Sequence, residues 1–253
     1  MARWTADDGI AIAYEMAGEA DRPAVILQHG FGSNRRRNWV RFGFVDALLA
    51  AGKRVVTVDA RGHGESDKPH DSAFYGESRM ARDLAGIADT LGLESFDLVG
   101  YSMGAVVSLL LAVADSRVRR LVIGGVGEGV VAKGGVDTRA VAGGAIAAAL
   151  LAEDPATIPP PAAAFRAFVD ANGGDRLALA AQARAAHQQP IPLERVAMPT
   201  LLIAGDRDPL AIRPENLAAA LPVGRLLLLE GDHLGVFADP RFVPAVVDFL
   251  SAG

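Results

Sequence analysis

The chain has 253 residues, 51% of them hydrophobic and 22% charged, enough apolar material for one large α/β domain or two small ones in a soluble protein. A net charge of −5 gives no surface-wide attraction for phosphates, which argues against a nucleic-acid partner or an acidic membrane surface. The absence of cysteine excludes disulfides, thiol chemistry and Cys-ligated metal sites.

From the N-terminus, residues 1–9 lack the unbroken apolar core of a secretory leader, and the apolar stretch 141–152 is too short to span a bilayer, so a cytoplasmic enzyme is expected. Residues 10–16 alternate apolar and small side chains before Gly18, as a hairpin strand does. Residues 24–27, 54–58, 96–99, 121–123, 200–203 and 225–229 are near-continuous apolar runs. Strands covered on both faces read this way, which predicts a mostly parallel central sheet flanked by helices. Helices are predicted over 44–51, 78–91, 103–114, 215–221 and 241–250, with Asp239 as N-cap and Pro240 at the first position of the last. Between about 130 and 196 the alternation stops. That stretch is alanine-rich, carries Gly134-Gly135, Gly143-Gly144, Gly173-Gly174 and Pro159-Pro160-Pro161, and predicts several short helices with no strand. We expect an α/β core over 1–129 and 197–253, interrupted by a helical cap or lid over 130–196; ordinary surface helices are the alternative.

In an open parallel sheet, ligands bind beyond the carboxyl ends of the strands, so reactive side chains should follow strand-like runs. Gly100-Tyr101-Ser102-Met103-Gly104 does so, between the run at 96–99 and a helix-type stretch. A sharp turn there holds a serine in a strained conformation with its hydroxyl exposed, and the glycines keep Cβ atoms out of closely packed backbone. The competing reading is a glycine-rich turn with a passive serine. A serine nucleophile needs a base, and the base needs an acid to fix its tautomer. Of the five histidines, His29 and His63 sit among glycines and read as loop-ordering, and His70 and His187 follow no strand. His233 follows the final strand and is the expected base. Asp208 follows the 200–203 run and is the expected acid; Glu128, after the 121–123 run, is its rival. Asp206 reads as a residue that caps or turns its loop, and Asp232, next to His233, points elsewhere if the histidine faces the serine.

The chain resembles the α/β-hydrolases in four places: His29-Gly30-Phe31-Gly32, Arg61-Gly62-His63-Gly64-Glu65-Ser66-Asp67, Gly100-Tyr101-Ser102-Met103-Gly104, and the pair Asp208 and His233. The order Ser102, Asp208, His233 is that of the family's triad. The resemblance implies that the Phe31 and Met103 backbone N–H groups form an oxyanion hole. It implies hydrolysis of a carboxylic ester, or a related acyl bond, of a small apolar substrate, with no cofactor and no metal. A serine at position 102 points away from the aspartate-dependent dehalogenases and epoxide hydrolases of this fold. Carbon–carbon (diketone) hydrolase, thioesterase, lactonase and perhydrolase activity stay open, as does slow-turnover ligand reception. A metal hydrolase is disfavoured because no His-x-x-x-His spacing is present, and a dinucleotide site because G-x-G-x-x-G is absent. The expected partner is a small-molecule acyl substrate, with no nucleic acid or membrane, for a monomer or homodimer. Ile158, Phe165, Phe168 and Leu177 are candidate pocket walls or simple cap core. Arg35-Arg36-Arg37 reads as a solvated loop, with Asn34 and these arginines a conceivable contact for a substrate carboxylate.

Overall fold

The six near-continuous apolar runs each lie in a strand of one eight-stranded sheet. The structure is a computed structural model and describes residues 1–137, 139, 141 and 143–252. The strands are β1 (Ala2–Thr5), β2 (Ala11–Ala17), β3 (Ala24–Gln28), β4 (Arg54–Val58), β5 (Phe96–Tyr101), β6 (Val118–Gly124), β7 (Thr200–Gly205) and β8 (Gly224–Leu229). They lie in the order β1-β2-β4-β3-β5-β6-β7-β8. The β1–β2 and β2–β4 pairs are antiparallel, and every pair from β4–β3 to β7–β8 is parallel.

The two-residue period of a strand divides its apolar side chains between two cores. Ile26, Val56, Leu98, Leu121, Ile123 and Leu202 face one, together with Leu84 and Ile87 of α2 (Glu77–Thr90) and Val106 and Leu109 of α3 (Met103–Ala114). Val25, Leu27, Val55, Val99, Val122 and Ile203 face the other, with Phe44 and Leu48 of α1 (Phe44–Ala50) and Phe242, Val246 and Leu250 of the C-terminal helix (Phe242–Ser251). Each such side chain contributes about 1.5–3 kcal/mol on burial, so the two layers fix the register of the strands and hence the positions of the loops that follow them.

Between β6 and β7 the described residues contain helices and no strand. They are α4 (Glu128–Lys133), α5 (Gly143–Leu151), α6 (Pro160–Ala171) and α7 (Arg176–Arg184). Pro160 opens α6 at a position that needs no N–H partner, and Asp175 caps α7 by accepting from Leu177 N and Ala178 N. Ala147, Leu150, Val169, Leu179, Ala180 and Ala183 form a small separate core, with Phe31 packed against it. The segment is tied to the rest by Asn172 Nδ2 donating to Gly32 O at 3.1 Å and by the His70–Asp175 pair at 3.1 Å. Between β7 and β8 lies α8 (Pro214–Ala220), and the C-terminal helix is α9.

Three expectations need correction. The strand β8 lies at the sheet edge and its faces are only partly covered, with Leu226 packed on one core, Leu227 on the other and Leu228 exposed. Asp239 does not cap α9; it accepts from Arg241 N and Glu230 N in the turn before it, and the helix starts at Phe242. The arginine run is not a solvated loop at Arg35, which is buried, paired with Asp59 and bonded to Glu15 Oε2 at 3.2 Å. Asn34 Oδ1 accepts from Arg37 N at 3.0 Å and shapes the helical turn Arg36–Val40. The strand β1 and the helix α4 were not anticipated.

Candidate active site

Ser102 stands between the last residue of β5 and the first of α3, with φ 56° and ψ −118°. That is the first central position of a type II′ turn, normally held by glycine. Ser102 is one of two non-glycine residues with positive φ among those described, the other being Arg213. The flanking glycines are required by space. A Cβ on Gly100 would collide with Gly104 O and Ser108 Oγ, and one on Gly104 would collide with the backbone at Gln28 and His29. The helix therefore starts hard against β3, and its first turn presents Ser102 at the carboxyl end of the sheet.

Ser102 Oγ lies 3.0 Å from His233 Nε2, and His233 Nδ1 lies 2.8 Å from Asp208 Oδ2. A carboxylate can only accept, so Nδ1 carries the proton and Nε2 offers its lone pair to the serine hydroxyl. Asp208 is held in turn, its Oδ1 accepting from Leu210 N at 2.8 Å. Tyr101 Oη donates to His233 O at 2.7 Å, with its ring 5.3 Å from the imidazole. Burial, with Asp208 and Asp232 nearby, pushes the Tyr101 phenol well up and keeps it a neutral donor. These contacts join loops after β5, β7 and β8 into one chain of hydrogen bonds.

The rival acid is elsewhere. Glu128 accepts from Arg139 Nη2 at 2.5 Å and Asn216 Nδ2 at 3.0 Å and pairs with Arg213 at 2.9 Å. Asp206 accepts from Gly231 N, and Asp232 from Leu234 N and Gly235 N, so both shape turns. His29 and His63 are buried, and both pass a backbone bond across the loop that holds Phe31. His29 Nε2 accepts from Ala60 N and Nδ1 donates to Gly30 O; His63 Nε2 accepts from Gly32 N and Nδ1 donates to Arg61 O. Burial holds both neutral, and it pushes His63 down to about 3. The Phe31 and Met103 backbone N–H groups, one in this loop and one at the start of α3, form no hydrogen bond among the described residues.

Ser102 opens into a cavity of about 100 Å³ that is partly open to solvent. Phe31, Met103, Val136, Ile146, Phe165 and Leu210 supply apolar wall. Of the four wall candidates only Phe165 lines it. Phe168 packs against Gly32 and lines a separate cleft with Arg37 and Asn38. Ile158 is half-buried outside the cavity and Leu177 is exposed. Nor does the arginine run reach it. Sequence reasoning missed its polar wall: Glu77, Gln182, His187 and Gln188. Among the described residues no cluster of three or more His, Asp or Glu could hold a metal ion, and no helix is long and apolar enough to cross a membrane.

A family model described as alpha/beta hydrolase fold matches residues 23–133. A structure of a hydrolase from Pseudomonas aeruginosa PA01 superposes with a TM-score of 0.81 at 28% identity, covering 99% of this chain and 98% of that one. The chain has the α/β-hydrolase fold. The chain is also 40% identical over 108 residues to sn-1-specific diacylglycerol lipase of Mus musculus, and 39% identical over 102 residues to 2-hydroxy-6-oxo-2,4-heptadienoate hydrolase of Pseudomonas putida. The matches cover 42% and 40% of this chain and only 33% and 36% of those two proteins. The chain thus matches about a third of the length of these curated relatives and nearly the whole of the structural one.

Proposed function

We propose that the chain is a serine hydrolase that cleaves a carboxylic ester through an acyl-enzyme on Ser102. The observation that carries this reading is the unbroken run Ser102 Oγ, His233, Asp208, with both links at or below 3.0 Å. In the first half-reaction His233 Nε2 takes the hydroxyl proton as Ser102 Oγ forms a bond to the acyl carbon. The carbonyl π electrons move onto oxygen. The Phe31 and Met103 N–H groups receive that oxyanion, each donor being worth on the order of 3 kcal/mol in the transition state. Collapse of the intermediate breaks the bond to the alcohol oxygen, which leaves with the proton from His233. In the second half-reaction His233 deprotonates a water that attacks the acyl carbon; Ser102 recovers its proton and the acid departs. Asp208 keeps the imidazole in the Nδ1–H tautomer and balances its positive charge while it is protonated. In this reading the helices α5 to α7 act as a cap that walls the acyl pocket.

Support for an ester comes from the serine itself and from the apolar wall beside it. The relatives include a diacylglycerol lipase and a 2-hydroxy-6-oxo-2,4-heptadienoate hydrolase, so bond type is the variable to test. A panel of esters, thioesters, lactones and vinylogous diketones of graded chain length, run against wild type and Ser102→Ala, does this. Ester turnover that is lost in Ser102→Ala is the expected result. Equal turnover by the variant, or turnover confined to the diketones, overturns the reading.

A further inference from the structure

The cavity has one polar side that the hydrolytic steps do not use. Glu77, the first residue of α2, is 93% buried on its 7% exposure, and its Oε2 accepts from His187 N at 2.6 Å. Among the described residues no lysine or arginine lines the cavity, and burial is the main influence on the Glu77 carboxyl. Gln182 is also in the lining, 1% exposed, its Nε2 donating to Met103 Sδ and its Oε1 without a partner. His187 Nε2 is likewise buried and unpartnered. Asp137, the other acid of the lining, is held by Arg139.

We propose that this side of the cavity binds a primary ammonium group carried by the substrate, with Glu77 as its counter-ion and Gln182 Oε1 as a second acceptor. This rests on the reading of the Ser102 cavity as the substrate site. A buried carboxylate without a cation and a buried amide oxygen without a donor are both costly states that a bound donor relieves. An ammonium has three N–H donors and no acceptor, and it matches Glu77, Gln182 Oε1 and His187 Nε2 when that ring is protonated at Nδ1. Met103 links this end to the reacting centre, because its backbone follows Ser102 and its sulfur meets Gln182. A methyl terminus would leave the acceptors unpaired, and a carboxylate would face Glu77 and Asp137. Burial pushes the Glu77 carboxyl up to about 7, so it can give up its proton to make an ion pair when the cation arrives.

Two measurements test this separately from the ester reading. Calorimetric titration of Ser102→Ala with hexylammonium, 1-hexanol and hexanoate is expected to give hexylammonium at least about tenfold tighter than either neutral or anionic probe. The same titration of Ser102→Ala carrying Glu77→Gln, which keeps an acceptor for His187 N–H, should erase that preference; Glu77→Asp should keep part of it. In wild type, the 4-nitrophenyl ester of 6-aminohexanoate should exceed the hexanoate ester in kcat/KM by a similar factor, and the ratio should collapse in Glu77→Gln. Equal or tighter binding of hexanol or hexanoate, or a preference that survives Glu77→Gln, overturns the proposal. The comparison among the three probes decides even if a Glu77 variant fails to fold. A clear ammonium preference in binding, with neither ester turned over, would leave the polar site standing and overturn the hydrolase reading instead.

Discussion

Ser102 is held at φ 56° and ψ −118°, where a side chain is strained, and the strain can be measured by replacing it in two ways. Ser102→Ala removes the hydroxyl but keeps a Cβ in the unfavourable region. Ser102→Gly removes the Cβ as well. A non-glycine residue in such a region costs about 1–3 kcal/mol. Glycine gives back part of this, because the unfolded chain gains freedom worth about 0.5–1 kcal/mol. The net expectation is that Ser102→Gly is more stable than Ser102→Ala by about 1 kcal/mol. For a chain of this size that is a rise in Tm of about 2–4 °C. Neither variant can form an acyl-enzyme, so ester turnover should be lost in both while the melting temperatures diverge. Differential scanning calorimetry of the two, at one pH and one protein concentration, reads the difference directly. A glycine variant that melts at or below the alanine variant would refute the claim that the turn stores strain at this residue.

The identity of the acid can be checked with one pair of variants: Asp208→Asn should lower kcat for esters by about 10⁴, because the imidazole loses its fixed tautomer, whereas Glu128→Gln should change it by less than about threefold. The reverse ranking would move the acid to Glu128. Stability should also depend on Glu77. Its carboxyl is raised from 4.5 to about 7 in the folded chain, so the folded state binds more protons across that window and stability falls as pH rises through it. The full penalty, about 3 kcal/mol, is in force above pH 7 and absent below the unfolded value. Urea denaturation of wild type and Glu77→Gln at pH 5 and pH 8 should show the variant gaining relative stability at the higher pH; a difference that does not change with pH would mean that burial does not control this carboxyl.

What could be read in advance follows from how local each cause is. The run Phe96 to Val99, the glycine spacing around Ser102 and the start of α3 are local, and the structure places all of them at the expected residues. Placing Asp208 and His233 required only that each follow its own strand. Parallel pairing then brings the strand ends together. By contrast, β1 is four residues long with alternating half-buried and exposed side chains, too short for its period to stand out. Arg35 looked like part of a basic run because nothing in its neighbours announces Asp59, a contact made across the fold. The cavity wall was the least legible part. Phe165 and Phe168 are three apart on α6 and equally apolar, yet one lines the cavity and the other packs against Gly32. Glu77 resembled an ordinary acidic residue in the first turn of a helix, where a carboxylate is favoured by the dipole. Its hydrogen-bond partner, the backbone N–H of His187, lies more than a hundred positions later in the chain.

The strands β6 and β7 are neighbours in the sheet, yet residues 125–199 run between them. Their ends are pinned by parallel pairing, so the whole segment is a closed loop whose entropy grows only logarithmically with length. Doubling it would cost about 0.6 kcal/mol. Changes in the length of this segment therefore meet little entropic resistance from the sheet, which holds Ser102, Asp208 and His233 through other connections. The helices α5 and α6 are the parts freest to vary in this way, because Ala178 and Ala181 of α7 pack in the main core and tie that helix to the strands.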